Sequence, residues 1–199
     1  MINNIHFSPN FQKQLKAKAN ILNNGLPEQC FIYELNKEED YDYFKEIKEK
    51  PEWKEKGFAE EFDKTLKDQR SHEHLFVMET VDEECLGILE LDDDILGDRF
   101  QKIEYLETFK PYSYRNNNRD RKYIGQTLLA FAAKLLKNKS NKDLKVPSAV
   151  DSAINFYIDK CGFEKVPLKP YELLLFKEDF NDLIESTEQK TQGEIEVIC

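Results

Sequence analysis

Between Arg115 and Lys145 the chain carries nine lysines and arginines against two acidic residues, a balance of +7, and a helix-like run starts near Gly125 within it. The rest of the 199 residues sums to −17, for a net charge of −10. A basic window around a helix start suits an anion, phosphate above all, because the first helical N–H groups lack intrahelical partners and the dipole is positive there. Lys134, Lys137 and Lys139 have an equal claim to a solvated helix face. Arg115, Arg119, Arg121 and Lys122 stand closer to the helix start. His72 and His74 would share one side of a strand, but a metal needs a third ligand and the sequence offers none, so edge-of-strand histidines are expected. Ser113, Ser148 and Ser152 have no neighbouring His and acid that would suggest a hydrolase. Cys161, beside Gly162 and Phe163, is read as a buried small hydrophobe rather than a nucleophile.

The whole chain bounds these options. At 23.5 kDa, with 40% hydrophobic residues, 14 Phe and 9 Tyr, it can bury a substantial core. A pI near 5.0 argues against coating nucleic acid or an anionic membrane. No run approaches the roughly 18–20 apolar residues of a membrane span. The start, Met1 to Pro9, has no basic region followed by an apolar stretch, so a cytoplasmic protein is expected. Cys30, Cys85, Cys161 and Cys199 are too scattered for a disulfide framework or a metal motif.

The elements that must position the basic window follow from period and punctuation. Asn10 to Asn24, with Phe11, Leu15, Ile21 and Leu22 before Gly25, suggests an amphipathic helix with a glycine stop. Cys30 to Leu35 reads as a strand. Lys37 to Gln69, broken by Pro51 and Gly57, suggests two or three short helices with a charged solvated face. His74 to Thr80 and Cys85 to Leu91 form a hairpin, followed by an acidic turn at Asp92 to Asp94. Lys102 to Thr108 is a further strand, with Ile103, Tyr105 and Glu107 on one side and Glu104, Leu106 and Thr108 on the other. A polar loop, Lys110 to Lys122, leads into the clearest helix, with Leu128, Leu129, Phe131, Ala132, Leu135 and Leu136 spaced for one buried face. Leu144 to Val146, Gly162 to Val166 and Tyr171 to Phe176 are strands around a helix at Asp151 to Lys160. Asp179 to Cys199 reads as an acidic, loosely held tail.

From His74 to Phe176 this order and two motifs resemble the GNAT N-acetyltransferases. The family's phosphate loop, Gln or Arg, two residues, Gly, one residue, then Gly or Ala, corresponds to Asp120 to Gly125, in which only the last glycine matches and Tyr123 replaces the first. Ala153 to Tyr157 followed by Gly162 and Phe163 is similar to the second signature, with one extra residue before the glycine and Val150 where an Asn is frequent. The resemblance implies an α/β (α+β) fold: a mixed, mostly antiparallel sheet splayed around a coenzyme site, flanked by helices, with an N-terminal helical elaboration. One acetyltransferase-like domain over 1–179 is expected, with 1–70 as N-terminal strand and helices, 71–179 as core and 180–199 as tail.

The resemblance further implies acetyl-coenzyme A as co-substrate and no metal. Backbone N–H groups of Tyr123, Ile124, Gly125, Gln126 and Thr127 would cradle the pyrophosphate, Arg121 and Lys122 would meet phosphate oxygens, and the strand edge at Glu107, Thr108 and Phe109 would pair with the pantetheine arm. Tyr157 would protonate the departing thiolate, or else serve as a buried aromatic. Glu104, or else Glu107, would deprotonate the amine, although an exposed strand carboxylate is the commoner state. The acceptor expected is a small-molecule or peptide amine of positive charge, drawn by the acidic surface. Nucleic acid and membrane partners are disfavoured, and a homodimer through a sheet edge is compatible with such a fold. The competing expectation is a non-catalytic interaction protein that kept this fold.

Overall fold

The computed structural model describes residues 13–36, 40–49, 73–93, 99–109 and 120–198. Its backbone is one sheet built from β1 (Gln14–Asn23), β2 (Leu26–Glu34), β3 (Glu73–Thr80), β4 (Cys85–Asp93), β5 (Phe100–Thr108), β6 (Arg121–Lys122), β7 (Asp143–Val146), β8 (Glu164–Val166), β9 (Lys169–Leu175) and β10 (Glu196–Val197). The spatial order is β10-β1-β2-β3-β4-β5-β7-β9-β8, with β6 also on β1. Among the described residues four α-helices accompany it: α1 (Tyr41–Glu49), α2 (Ile124–Lys139), α3 (Asp151–Cys161) and α4 (Phe180–Thr191). All pairings are antiparallel except β5 with β7. This is the mixed, mostly antiparallel α/β arrangement that the element order implies. None of the described helices is long and apolar enough to cross a membrane.

The first expectation to fall is the helix at Asn10 to Asn24, because its described residues form β1 and pair with β2. Ala17, Ala19 and Ile21 are buried at a period of two, opposite Cys30 and Ile32. Gly25 is not a helix stop: Asn24 (φ 51) and Gly25 (φ 83) form the two-residue left-handed loop favoured in hairpins. The helices expected over Lys37 to Gln69 are represented by α1, and residues 50–72 lie outside the described residues. The acidic turn at Asp92 is strand instead, since β4 runs to Asp93 and Asp92 pairs with Lys102.

Two apolar layers pack on the sheet. On one face α1 sits over Leu35, Leu75, Val77, Cys85, Ile88 and Phe109, with Tyr43 and Ile47 pointing down into them. On the other, α2 and α4 pack against each other and both against β1, and Leu128 through Ala133 of α2 are completely buried. At this depth each large aliphatic or aromatic side chain contributes about 1.5–3 kcal/mol.

The acidic tail is the second correction. Its residues 180–191 form α4, which buries Phe180, Leu183 and Ile184, and β10 extends β1. Its carboxylates are counter-charges for α2: Lys134 Nζ lies 3.0 Å from Glu188 and 3.4 Å from Glu194, while Lys137 Nζ donates to Asn181 Oδ1 at 2.6 Å. Lys134 and Lys137 thus link α2 to the C-terminal segment, Lys134 through ion pairs and Lys137 at the solvent-exposed rim.

Candidate functional site

β5 and β7 pair in parallel only at Phe100–Lys102 with Asp143–Lys145, and beyond Lys102 the two strands separate. On its other edge β5 stays bonded to β4 as far as Thr108 opposite Gly87, and the Phe109 N–H donates to Leu86 O at 3.0 Å. The later half of β5 therefore uses one edge for the sheet, while the edge toward β7 carries no ladder among the described residues. Glu107, Thr108 and Phe109 lie on this stretch.

A bulge adjusts what β5 presents. Leu91 faces Ile103 and Glu90 faces Tyr105, so Glu104 is the extra residue. One consequence corrects the expected alternation: Ile103 and Leu106 belong to the α2 side, whereas Tyr105 packs with the α1 layer. Glu104 is exposed, and its carboxyl is raised above its ordinary value by lost hydration, then by Asp92 and Glu73, with Lys102 opposing. Glu73 and Asp92 are direct cross-strand partners. An acidic stripe thus crosses β3, β4 and β5.

The start of α2 closes on the end of β5. A Cβ placed on Gly125 would lie 3.3 Å from Phe156 Cζ and 3.5 Å from Thr108 Cγ2, so helix, strand and α3 meet closely here and a side chain would make the Phe156 ring give by a few tenths of an ångström. Tyr123, just before the helix, is left-handed at φ 72, the conformation glycine adopts at least cost. The first hydrogen bond of the helix runs from Thr127 N to Tyr123 O, which leaves the preceding N–H groups without partners inside the helix. Gly87 has the same role on β4: a Cβ there would lie 2.8 Å from Glu107 O.

The side chains around this junction divide into two groups. Ile124, Gln126 and Thr127 are buried, with Gln126 Nε2 donating to Lys160 O at 3.0 Å and Thr127 Oγ1 to Asn20 O at 3.5 Å, so their side chains hold the helix in place. Lys122 is exposed. Arg121 is engaged elsewhere: Nε and Nη2 reach both oxygens of Glu28 at 2.7 and 2.8 Å, and Nη1 reaches Glu84 at 2.6 Å. Its expected role at phosphate is therefore replaced by a bidentate clamp between the β1–β2 and β3–β4 hairpins. Arg115 and Arg119 lie outside the described residues, as does His72.

Tyr157 is buried on α3, its ring edge-on to Phe156 at 5.4 Å and to Phe163 at 5.3 Å. Burial, assisted by Cys161, pushes its phenol up and keeps it protonated. The residue meeting Gly125 is its neighbour Phe156, which sequence reading did not single out. The signal available was a glycine that needs a close neighbour, but nothing local says which aromatic approaches. Gly162 (φ 76) ends α3, and Phe163 N donates to Tyr157 O at 3.1 Å. Cys30, Cys85 and Cys161 are buried thiols, and burial raises those of Cys30 and Cys161. His74 Nδ1 lies 2.6 Å from Glu34.

No family model matches the chain, and no curated protein is similar to it in sequence. Solved structures do match. A protein classed as an acetyltransferase from Exiguobacterium sp. 255-15 is 18% identical, with a TM-score of 0.56 over 77% of this chain and 97% of its own. AtaTR, solved with bound AcCoA, is 16% identical at a TM-score of 0.55, again over 77% and 97%. A chimera of the spermidine N-acetyltransferase SpeG from Vibrio cholerae and hSSAT is 14% identical at 0.50, over 77% and 98%. Splayed β5 and β7, a helix start seated on the end of β5 and these matches agree on one architecture: the chain has the fold of the GNAT acetyltransferases.

Proposed function

We propose that the protein is an N-acetyltransferase that moves an acetyl group from acetyl-coenzyme A directly to the amine of a cationic acceptor. The observation that carries this reading is the junction of the unladdered edge of β5 with the Gly125 helix start. An extended pantetheine arm can add to a strand edge by backbone hydrogen bonds, and a pyrophosphate suits the unpartnered N–H groups of a helix start. In this reading Ile124, Gly125 and Gln126 contribute backbone groups and Lys122 contributes charge at the rim. The amine lone pair attacks the thioester carbonyl carbon, the carbon–sulfur bond breaks, and the thiolate leaves with a proton.

Glu104 is the base of this proposal. Its carboxyl is raised above its ordinary value, which makes it a stronger base, and the stripe with Glu73 and Asp92 attracts a cation to that strand. Tyr157, on α3, is the proton donor to the thiolate in this proposal, and its phenol is in the protonated form. SpeG and AtaTR, whose names specify spermidine acetylation and bound AcCoA, support the co-substrate and the charge of the acceptor by analogy of fold.

The test is a thermal melt with and without millimolar acetyl-coenzyme A. A ligand at about 100 times its dissociation constant adds about 2.7 kcal/mol, a rise of several degrees for a domain of this size. An unchanged melting temperature would favour the interaction protein over the enzyme.

A further inference from the structure

At the end of the α1-covered face, where β2 and β3 meet, a largely covered lysine sits among acids and rings. Lys13 immediately precedes β1, and its Nζ lies 2.8 Å from Glu79 Oε2. The same nitrogen stands 3.9 Å from the centre of the Tyr43 ring and 5.1 Å from that of Tyr33. The side chains of Lys13 and Glu79 are only 11% and 2% exposed. Asp40, fully buried at the start of α1, accepts from Asn36 N at 2.7 Å through Oδ2. Its Oδ1 and Glu79 Oε1 are buried with no hydrogen-bond partner among the described residues.

Glu79 thus pairs directly with the ammonium, while the second buried carboxylate, Asp40, feels only its field. Burial raises the Glu79 carboxyl, Lys13 opposes this, and Glu83 and Asp40 raise it further. Asp40 is raised by burial against its hydrogen bond to Asn36 and the field of Lys13. The cluster therefore carries more negative capacity than its one resident cation satisfies. Its chemistry is specific: carboxylate oxygens for the three N–H donors of a primary ammonium, and ring faces for its charge. A quaternary ammonium has rings to stack on but no proton to give Glu79.

We propose that Tyr33, Asp40, Tyr43 and Glu79 form a binding site for a primary alkylammonium ion, that the chain's own Lys13 occupies it, and that a cationic amine such as a diamine competes with Lys13 for it. Amine binding then displaces the Lys13 ammonium from Glu79. The site is built on β2, α1 and β3, apart from the β5–α2 junction, and its test needs no acetyl-coenzyme A, so it stands independently of the proposed enzyme activity.

The experiment compares thermal melts of the wild type, Lys13→Ala and Lys13→Met in millimolar 1,4-diaminobutane, with tetramethylammonium at equal ionic strength as control. Both variants are expected to melt lower than the wild type, to be raised by the diamine more than the wild type is, and to lose that gain when combined with Glu79→Gln. Equal shifts in wild type and variants, no shift in any, or an equal effect of tetramethylammonium would overturn the proposal. Should both variants fail to fold, the wild type still decides: diamine must move the Lys13 side-chain NMR resonances selectively, and stationary resonances would also overturn it.

Discussion

Glu34 connects three strands through its side chain, and replacing it with glutamine should show how much that connection stabilises the sheet. Its carboxylate receives Lys16 Nζ at 2.7 Å from β1 and His74 Nδ1 at 2.6 Å from β3. Burial alone would raise the carboxyl, but the hydrogen bonds from His74 and Lys16 and their charges outweigh it and hold it at about 2, against an ordinary 4.5. At about 1.4 kcal/mol per tenfold change, that depression corresponds to roughly 3 kcal/mol as an upper bound. With 22% of the side chain still exposed, about 2 kcal/mol is the working figure. A folded-state value below the unfolded one stabilises at pH above the unfolded value, and the contribution fades as pH falls from 4.5 toward 2. Urea unfolding of wild type and Glu34→Gln at pH 5.5 and pH 3 should therefore show a gap of about 2 kcal/mol that shrinks by more than half at the lower pH. A gap unchanged between the two conditions would refute the ion-pair account and assign the loss to packing.

Arg121→Ala should lower stability by about 1.5–3 kcal/mol through the lost clamp on Glu28 and Glu84, while leaving the shift produced by acetyl-coenzyme A intact. The opposite pattern, unchanged stability and a lost ligand shift, would return Arg121 to the phosphate. Ending the chain after Lys177 should abolish a soluble, cooperative melt, since Phe180, Leu183, Ile184 and Ile195 each withdraw about 1.5–3 kcal/mol of burial and the outer edge of β1 opens; size-exclusion chromatography and circular dichroism would show this.

Sequence reading went furthest where the period of a segment settles its local geometry. The hairpin from His74 to Leu91 and the helix that opens near Gly125 are legible from period alone, although α2 is buried all round between Leu128 and Ala133 rather than on one face. Sequence reading failed where a residue's partner is distant. Arg121 reads as a phosphate ligand until Glu28, 93 positions away, takes its guanidinium. The acidity of residues 180–199 reads as a solvated tail until Lys134 supplies the counter-charge. The β1 error was of another kind: lysines at 13, 16 and 18 obscured the period-two burial of Ala17, Ala19 and Ile21, and Asn24–Gly25 was weighed as a stop rather than a turn. Nor can periodicity reveal the bulge at Glu104, since it depends on how β4 pairs with β5.

The seating of β10 on β1 also constrains the order of events during synthesis. Ala17 and Lys18 are among the first described residues to leave the ribosome, yet their outer partners, Val197 and Glu196, are among the last. At about 5–20 residues per second, roughly 10–40 s separate the two. The β1–β2 hairpin can close locally in microseconds. It must then wait, with an unpaired outer edge, for the far end of the chain. The alternating lysines of β1 are suited to that interval, because charge along an exposed strand discourages pairing with another nascent copy.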